Sequence, residues 1–381
     1  MHNLELLLEQ NRALPSYRIE IRNGSFYYRE KMATIGAEAI RNIIRFVNTL
    51  LQKYPNIKLP IIFDLGNVKF ADKLSYIMLE CICFHLIANH GYRIRINCNI
   101  QSQIHTAGIK SSPLLLLSTG RSDHLEKFKA KFTREIYGNH YRRLLLSEDL
   151  KKPDFLCAIM DDVAWFQSGY HVDPDCREAI SEVIIELVGN ASEHGEHNCL
   201  IDFDIAETYF KKGSPGEFVG INIVIANFSQ KDLGAALRDR IIIDGLNDGR
   251  FSVVQQAYAF HSQYFGEKYT EADFFNMTAF QHKISGRCGN LYTGGTGLTK
   301  LVESLESRSD THMCYVTSGE RAIVFKRDYL KYNDTGWLGF NTTNDYLNSI
   351  PDHSIFMQNL FSMPGTAYNL NFVMQKENNN E

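Results

Sequence analysis

The segment from Asp173 to Gly195 constrains the fold more than any other part of this 381-residue sequence. Asp173 followed by Pro174 is a strong helix start, because the aspartate can cap free backbone N–H groups and proline has none to satisfy. Apolar residues then recur at helical spacing, and Gly195 supplies a stop. The apolar positions are Ile180, Val183, Ile184, Leu187, Val188 and Ala191. The pattern predicts a helix over 175–194 that buries one face against a core.

Polar residues run along one edge of this apolar stripe. At ~100° per residue, Glu186 and Asn190 are neighbours one turn apart, and Glu193 and His194 continue the same strip. One interpretation is the ordinary polar flank of an amphipathic helix. The other is a metal–nucleotide site, because an asparagine oxygen suits Mg²⁺ and a glutamate can orient or deprotonate a water or hydroxyl that attacks a terminal phosphate.

A hairpin and a glycine-rich loop follow this helix. The strands are expected at 198–210 and 217–228, joined by the turn KKGSPG. The stretch TGGTGLTKLVESLES (293–307) is a glycine loop that opens a helix. Free N–H groups at such a helix start bind anions, and glycines let phosphate approach closely. The loop lacks the lysine of a phosphate-binding P-loop, so an ordinary turn is the alternative interpretation.

The sequence before residue 145 alternates strands and helices, which indicates an α/β layer with neighbouring parallel strands. Its expected elements are a strand at 17–21, a helix at 37–54, a strand at 59–65, a helix at 73–91, a strand at 92–98, a buried strand at 113–118 and a helix at 124–137. We place a domain boundary near residue 145. After it, the sequence predicts a helix at 155–167 and strands at 312–318, 321–328 and 364–375. The second part is expected to be an α/β sandwich, with helices on one face of a mixed, mainly antiparallel sheet.

Composition and charge are those of a soluble globular chain. Hydrophobic residues make up 44% and charged residues 22%, and the formal net charge of −4 gives no bulk attraction to nucleic acid or anionic membrane. The basic stretch 127–143 is therefore interpreted as a solvated helix face. The eight cysteines are scattered, which favours buried free thiols over a metal site. Neither a signal peptide nor a run of 18 apolar residues is found, so we expect a cytoplasmic protein without a membrane span.

The polar helix, the hairpin, a long variable segment and the glycine loop, in this order, resemble the GHKL ATPase superfamily. ELVGNASEHG is similar to its N-box, GGTGLTKL to its second glycine box and PGTAYNLNFVM to its closing Gly-Thr strand. The resemblance covers about 155–376 and assigns 146–381 to an ATP-binding domain, with 229–293 at the position of the lid.

This resemblance implies ATP and Mg²⁺ as cofactors and a role for each matching residue. Asn190 would be the Mg²⁺ ligand and Glu186 the base that activates water. His194 would lie near the phosphates, and Glu193 would be a further cofactor-binding residue. Thr366 would support the adenine through a water. The backbone donors to the phosphates would be Gly294, Gly295, Thr296, Gly297 and Leu298.

One position departs from the superfamily. Members carry an aspartate after the second hairpin strand, which accepts from the adenine amino group, whereas this chain has Asn227. An asparagine oxygen still accepts, but without charge assistance the hydrogen bond falls from ~1.5–3 to ~0.5–1.5 kcal/mol. Its amide nitrogen could also donate to guanine O6, which leaves the choice of base open. Asp244 and Asp248 are alternatives that lie outside the strand register.

The stretch 61–97 resembles STAS domains, the partner-binding modules that anti-sigma kinases phosphorylate. The similarity lies in a strand that contains Asp64, the loop VKFAD, a helix and a second strand. Phosphorylated members have serine directly after the loop aspartate, whereas this chain has Lys73, with Ser75 two places on. Residues 1–145 are therefore expected to be a STAS-like domain that docks an unidentified protein partner or forms a homodimer.

Three functions are compatible with these features. The first is an Mg²⁺-dependent, slowly hydrolysing ATP switch that signals through its lid and the N-terminal domain. The second is an anti-sigma-type serine/threonine protein kinase. The third is a non-catalytic scaffold with a decayed nucleotide pocket, which Asn227-Phe228-Ser229 would suit.

Overall fold

The computed structural model describes residues 4–100, 112–170, 172–193, 198–209, 217–247, 249–284, 297–309 and 314–376. The chain is mixed α/β, as expected from the sequence. Its described α-helices are α1 (Leu4–Gln10), α2 (Ala37–Lys53), α3 (Lys73–Ala88), α4 (Ser122–Thr133), α5 (Ser147–Leu150), α6 (Phe155–Ser168), α7 (Pro174–Glu193), α8 (Ala235–Arg238), α9 (Arg250–His261), α10 (Glu271–Thr278) and α11 (Gly297–Arg308). Its described strands are β1 (Glu20–Arg22), β2 (Ser25–Arg29), β3 (Thr34–Ile35), β4 (Ile61–Phe70), β5 (Ile94–Ile100), β6 (Arg134–Tyr137), β7 (His140–Leu145), β8 (Cys199–Tyr209), β9 (Phe218–Asn227), β10 (Tyr315–Val324) and β11 (Phe356–Gln375).

The first sheet has five strands with β4 at its centre. β4 pairs in parallel with β2, β3 and β5, which confirms the parallel neighbours expected from the alternating pattern. β1 and β2 form an antiparallel hairpin whose turn is Asn23-Gly24, with φ of +46° and +68°. Positive φ at both turn residues matches the twist of paired strands, and Asn-Gly adopts it readily.

The second sheet has six strands in the order β10-β11-β9-β8-β7-β6, and its pairs are all antiparallel in the described residues. β6 and β7 join this sheet although they lie before residue 146, so the second sheet begins at Arg134. The helix expected over 124–137 ends at Thr133, and residues 113–118 form a 3-10 helix instead of the expected strand.

One face of the second sheet is covered by α6, α7 and α11. The strands alternate, so that every second side chain enters this core. Inward-facing residues of β8 and β9 are Cys199, Ile201, Phe203, Ile205, Val219, Ile221, Ile223 and Ile225. The stripe predicted on α7 packs here, with each of its six apolar residues at most 3% exposed.

The opposite face of the second sheet is covered by α3 of the N-terminal part, a difference from the expected sandwich with helices on one face. Leu200, Val224 and Ala226 share a continuous core with α3 and the first sheet. α3 is buried on nearly all sides because it lies between the two sheets. The N-terminal part is therefore packed directly on the sheet that carries the candidate site.

The basic stretch 127–143 is a solvated helix face only in its α4 part, where Lys127 is exposed. It passes through α4, β6 and β7, and it buries His140 and Arg142 completely. Both side chains find carboxylate partners inside the molecule. The two buried basic residues of β7 therefore belong to the packing between the two sheets, unlike the exposed Lys127 of α4.

The described part of the segment 229–293 is packed against the second sheet. Phe274 and Phe280 of this segment are completely buried. Asp273 on α10 accepts two hydrogen bonds from the Arg321 guanidinium on β10, at 2.8 and 2.6 Å. The expected lid thus contains a well-anchored portion, and residues 285–293 of it lie outside the described residues.

Candidate functional site

α7 presents its polar residues at the border between core and surface. Asp173 caps the helix, as expected, by accepting from the backbone N–H of Cys176 at 3.0 Å. Glu186 and Asn190, one turn apart, are both half-buried, whereas the neighbouring Leu187 and Val188 are buried. Both residues therefore keep part of their surface exposed at this border.

α7 and α11 lie side by side and run in opposite directions. The Arg308 guanidinium donates to Cys176 Sγ at 3.3 Å, and Lys300 Nζ lies 3.5 Å from the Glu182 carboxylate. At ~1.5 Å per residue, Gly297 is ~4.5 Å beyond Lys300, and Glu186 is ~6 Å beyond Glu182 in the same direction. The beginning of α11, directly after the glycine loop, therefore approaches the turn of α7 that carries Glu186.

Asn227 and Thr366 form the adjoining part of the sheet. They are register partners on β9 and β11, and strand alternation places both on the face covered by α7. Asn227 Oδ1 is buried and has no hydrogen-bond partner within the described ranges. A buried acceptor left unpaired costs about 1–3 kcal/mol, so this oxygen is suited to a ligand donor.

Glu186 lies close enough to Tyr368 on β11 to influence its pKa. Burial raises the pKa of the Tyr368 hydroxyl, and the nearby Glu186 carboxylate raises it further. Tyr368 lies two residues beyond Thr366 on the same strand and face, a distance of ~7 Å. Glu186, Thr366 and Asn227 thus border one region between α7 and the sheet.

Gly365 permits the close approach of β11 to the end of β9. Its φ is +74°, and a Cβ at this position would overlap the Asn227 carbonyl oxygen and lie 2.7 Å from the Ser229 nitrogen. The Ser318 hydroxyl donates to the Gly365 carbonyl at 2.6 Å, which holds the turn in place. The glycine of the Gly-Thr pair is therefore required by the backbone geometry beside Asn227.

The remaining predicted site residues are only partly described. Gly297 is the first residue of α11, Leu298 is half-buried against the core, and Glu193 is the last residue of α7. The alternative base-recognition residue Asp244 is exposed and follows a π-helical turn. His194, Gly294, Gly295, Thr296 and Asp248 lie outside the described residues.

A charged cluster on the other face of the sheet was missed by the sequence interpretation. Lys73 Nζ lies 2.7 Å from the Asp202 carboxylate and 2.6 Å from that of Asp204, and all three side chains are at most 3% exposed. The Arg142 guanidinium donates to Asp202 and to Glu80 at 2.5 Å each. The alternation in CLIDFDIA could have indicated that both aspartates share one strand face.

Charge balance in this cluster involves a histidine. His140 Nε2 lies 2.9 Å from Asp202, and its Nδ1 lies 3.7 Å from Glu135. Burial lowers the pKa of His140, but the Asp202 and Glu135 carboxylates together outweigh burial, so that this pKa is raised above its ordinary value. Burial raises the pKa of Asp202, but Arg142, His140 and Lys73 together hold it well below its ordinary value.

The first turn of α3 is held by four strands of the second sheet. The Lys73 ammonium pairs with Asp204 on β8, and it also donates to the carbonyl of Asn222 on β9 at 3.1 Å. Asn369 on β11 accepts from the Leu74 N–H, and Tyr315 on β10 donates to Asp72. The N-terminal part is therefore attached to the sheet by specific polar contacts as well as apolar packing.

No protein-family model, curated protein or solved structure matches this chain. Within the described ranges, no group of three or more His, Cys, Asp and Glu side chains could hold a metal ion. The seven cysteines that the structure describes are free thiols, four of them buried. No helix in this part of the chain has the length and apolar character needed to cross a membrane.

Proposed function

We propose that residues 146–381 bind ATP with Mg²⁺ and act as a slowly hydrolysing molecular switch of the GHKL type. The observation that carries the proposal is the buried, unpartnered Oδ1 of Asn227 among the described residues, next to Thr366 on the face covered by α7. An exocyclic amino group of adenine would donate to this oxygen and satisfy it. The N-terminal part and the segment 229–293 would transmit the bound state to a protein partner.

Glu186 and Asn190 supply the oxygen atoms that such a site needs. Asn190 would hold Mg²⁺ through its amide oxygen, and Glu186 would orient or deprotonate the attacking water. When bound, Mg²⁺ would neutralise charge on the phosphates. The beginning of α11, which approaches the Glu186 turn, would offer backbone N–H groups to the phosphates.

Transmission to the N-terminal part has a direct structural route. β8 begins and β9 ends at the proposed base site, where Cys199 and Asn227 are register partners. The opposite face of these two strands makes the contacts to α3. A shift of these strands on nucleotide binding would act on α3 without an intervening element. Movement of α10 would also either break the Arg321–Asp273 ion pair or move Arg321 together with Asp273.

The arrangement of α3 argues against phosphorylation of the chain's own STAS-like part and does not bear on phosphorylation of a separate partner protein. Ser75 is 6% exposed, and it donates to the Asp72 carboxylate at 2.6 Å inside the contact between α3 and the second sheet. A kinase could not reach this hydroxyl while α3 is docked. We therefore favour ATP hydrolysis over phosphotransfer to the chain's own STAS-like part.

The test compares Glu186→Gln with Glu182→Gln, one turn earlier on the same helix. We expect both variants to bind ATP, whereas phosphate release falls by about 10²- to 10⁴-fold in Glu186→Gln alone, because only that carboxylate acts as base. Glu182 is exposed, and its contact with Lys300 contributes little. Equal phosphate release by wild type and Glu186→Gln would reject the assigned base.

Base recognition is tested separately at Asn227. Asn227→Leu removes the acceptor at similar volume, and we expect ATP affinity to fall by about 2- to 12-fold, the equivalent of ~0.5–1.5 kcal/mol. Asn227→Asp should favour ATP over GTP, because a carboxylate cannot donate to guanine O6. Unchanged affinity for both nucleotides in both variants would place the base elsewhere.

A further inference from the structure

A second cleft lies apart from the candidate nucleotide site, where the segment after α1 meets the beginning of β11. Its volume is about 480 Å³, within the range of ~300–1,000 Å³ that small-molecule sites occupy. Residues of both parts of the chain line it, including Gln10, Leu14 and Arg41 on one side and Glu320, Gln358 and Leu360 on the other. The cleft therefore spans the junction between the N-terminal part and the second sheet.

Two opposite charges face this cleft without pairing. The side chains of Arg41, which is half-buried, and Glu320, which is exposed, form no hydrogen bond or ion pair with each other or with any other described residue. A guanidinium binds carboxylates through parallel N–H donors, and a carboxylate pairs with an ammonium group. The two side chains could therefore bind a ligand that carries one negative and one positive group.

The walls of the cleft are fixed by hydrogen bonds within the protein. Asn11 donates to the Ser362 carbonyl at 2.7 Å and accepts from the Ser362 N–H at 2.8 Å. The Asn359 amide donates to Thr317 Oγ1 and to two carbonyls of β10. The Arg45 guanidinium donates to the Pro15 carbonyl at 2.8 Å. A site held in this way needs little ordering when a ligand binds.

We propose that this cleft binds a short peptide with free termini and apolar side chains. Arg41 would bind the terminal carboxylate and Glu320 the terminal ammonium. Leu14 and Phe361 are half-buried and Leu360 is 45% exposed, so apolar surface is available beside the charges. The Glu320 carboxylate disfavours dianions such as phosphates. The cleft and the proposed nucleotide site would therefore bind ligands of different chemistry.

The experiment is calorimetric titration of the full chain with leucyl-leucine, its N-acetyl derivative and its C-terminal amide. We expect leucyl-leucine to bind at least about tenfold more tightly than either blocked form, because each blocked form loses one charge-assisted contact. Arg41→Gln should weaken binding to a similar extent and abolish the difference between the acid and the amide. Glu320→Gln should abolish the difference between the free and the acetylated amine.

Arg18→Gln is the matched control, because Arg18 is exposed and does not line the cleft. It removes the same charge from the N-terminal part and should leave the affinity for leucyl-leucine unchanged. Absence of binding at millimolar peptide would overturn the proposal. Equal affinities of wild type, Arg41→Gln and Glu320→Gln for the three peptides would also overturn it, and neither outcome depends on nucleotide binding.

Discussion

Replacing Lys73 by methionine tests the contact between α3 and the second sheet. The Lys73 ammonium lies 2.7 Å from Asp202 and 2.6 Å from Asp204, and the exposed fractions of these side chains are 3%, 0% and 0%. Asp202 keeps Arg142 and His140 as partners when the ammonium is removed. Asp204 loses the Lys73 ammonium and keeps the hydrogen bond from the Asn222 amide, at 3.0 Å.

The expected cost follows from this unequal loss. A buried carboxylate that loses its cation typically costs about 3–5 kcal/mol, because desolvation is no longer offset. We expect the free energy of unfolding of Lys73→Met to fall by this amount, which is a large share of the ~5–15 kcal/mol of an ordinary domain. In the double variant Lys73→Met/Asp204→Asn the second carboxylate charge is gone, so part of the loss, at least ~1 kcal/mol, should be recovered.

Urea unfolding monitored by circular dichroism measures this change, with Lys127→Met as control. Lys127 is exposed on α4 and should change stability by less than ~0.5 kcal/mol. Hydrogen exchange should also accelerate in α3 and β8 of Lys73→Met, which localises the effect. If Lys73→Met is no less stable than Lys127→Met, the described docking of α3 is incorrect.

Three further outcomes are expected. Because the pKa of His140 is raised in the folded chain, its stabilisation is complete below pH ~6.5 and is lost as pH rises through the folded-state pKa. Urea stability should therefore decline as pH rises above ~6.5, and His140→Gln should flatten the decline. Gly365→Ala should lower the free energy of unfolding, measured from the urea midpoint, by at least ~2 kcal/mol, because φ is +74° and the added Cβ overlaps backbone atoms. A neutral effect would contradict this geometry. Arg321→Leu should lower the free energy of unfolding by about 3 kcal/mol in the same assay. This is the lower end of the range for a broken buried ion pair, because Asp273 keeps its hydrogen bonds from Thr270. Proteolysis within α10 should also increase, and unchanged cleavage would argue against the Arg321–Asp273 ion pair as an anchor.

Sequence periodicity predicted most elements whose apolar residues face one side. The helices expected at 37–54, 155–167 and 175–194 are confirmed within about two residues, because each has a stripe at helical spacing. The strands at 198–210 and 217–228 are confirmed for the equivalent reason. α3 was found because its long apolar run is closed by Gly91, which has a φ of +68°.

The errors arose where short-range patterns are ambiguous. PLLLLS at 113–118 has the apolar run of a buried strand, but Ser112 caps it by accepting from the Leu114 N–H, and a 3-10 helix forms. The sequence pattern places β6 in the helix expected at 124–137 and β7 beside the domain boundary near residue 145, because His140 and Arg142 give this stretch a polar character. Their burial depends on partners on α3 and β8, which are distant in sequence.

Local spacing indicated the candidate site only in part. The proximity of Glu186 and Asn190 on one helix edge follows from the helical repeat. The approach of Asn227 and Thr366 to Glu186 depends on strand register and on the antiparallel pairing of α7 with α11. The local sequence pattern specifies neither of these. The cleft at Arg41 depends on contacts between residues more than 300 positions apart, and no local signal marks it.

The central claim is that α7 and the end of β9 border one site for a nucleotide and its metal. Calorimetric titration of the full chain with ATP, with and without Mg²⁺, tests this claim most directly when wild type is compared with Asn190→Ala. We expect Mg²⁺ to tighten ATP binding by wild type and to have no effect on Asn190→Ala. Absence of ATP binding by wild type, or an equal Mg²⁺ effect in both proteins, would contradict the account.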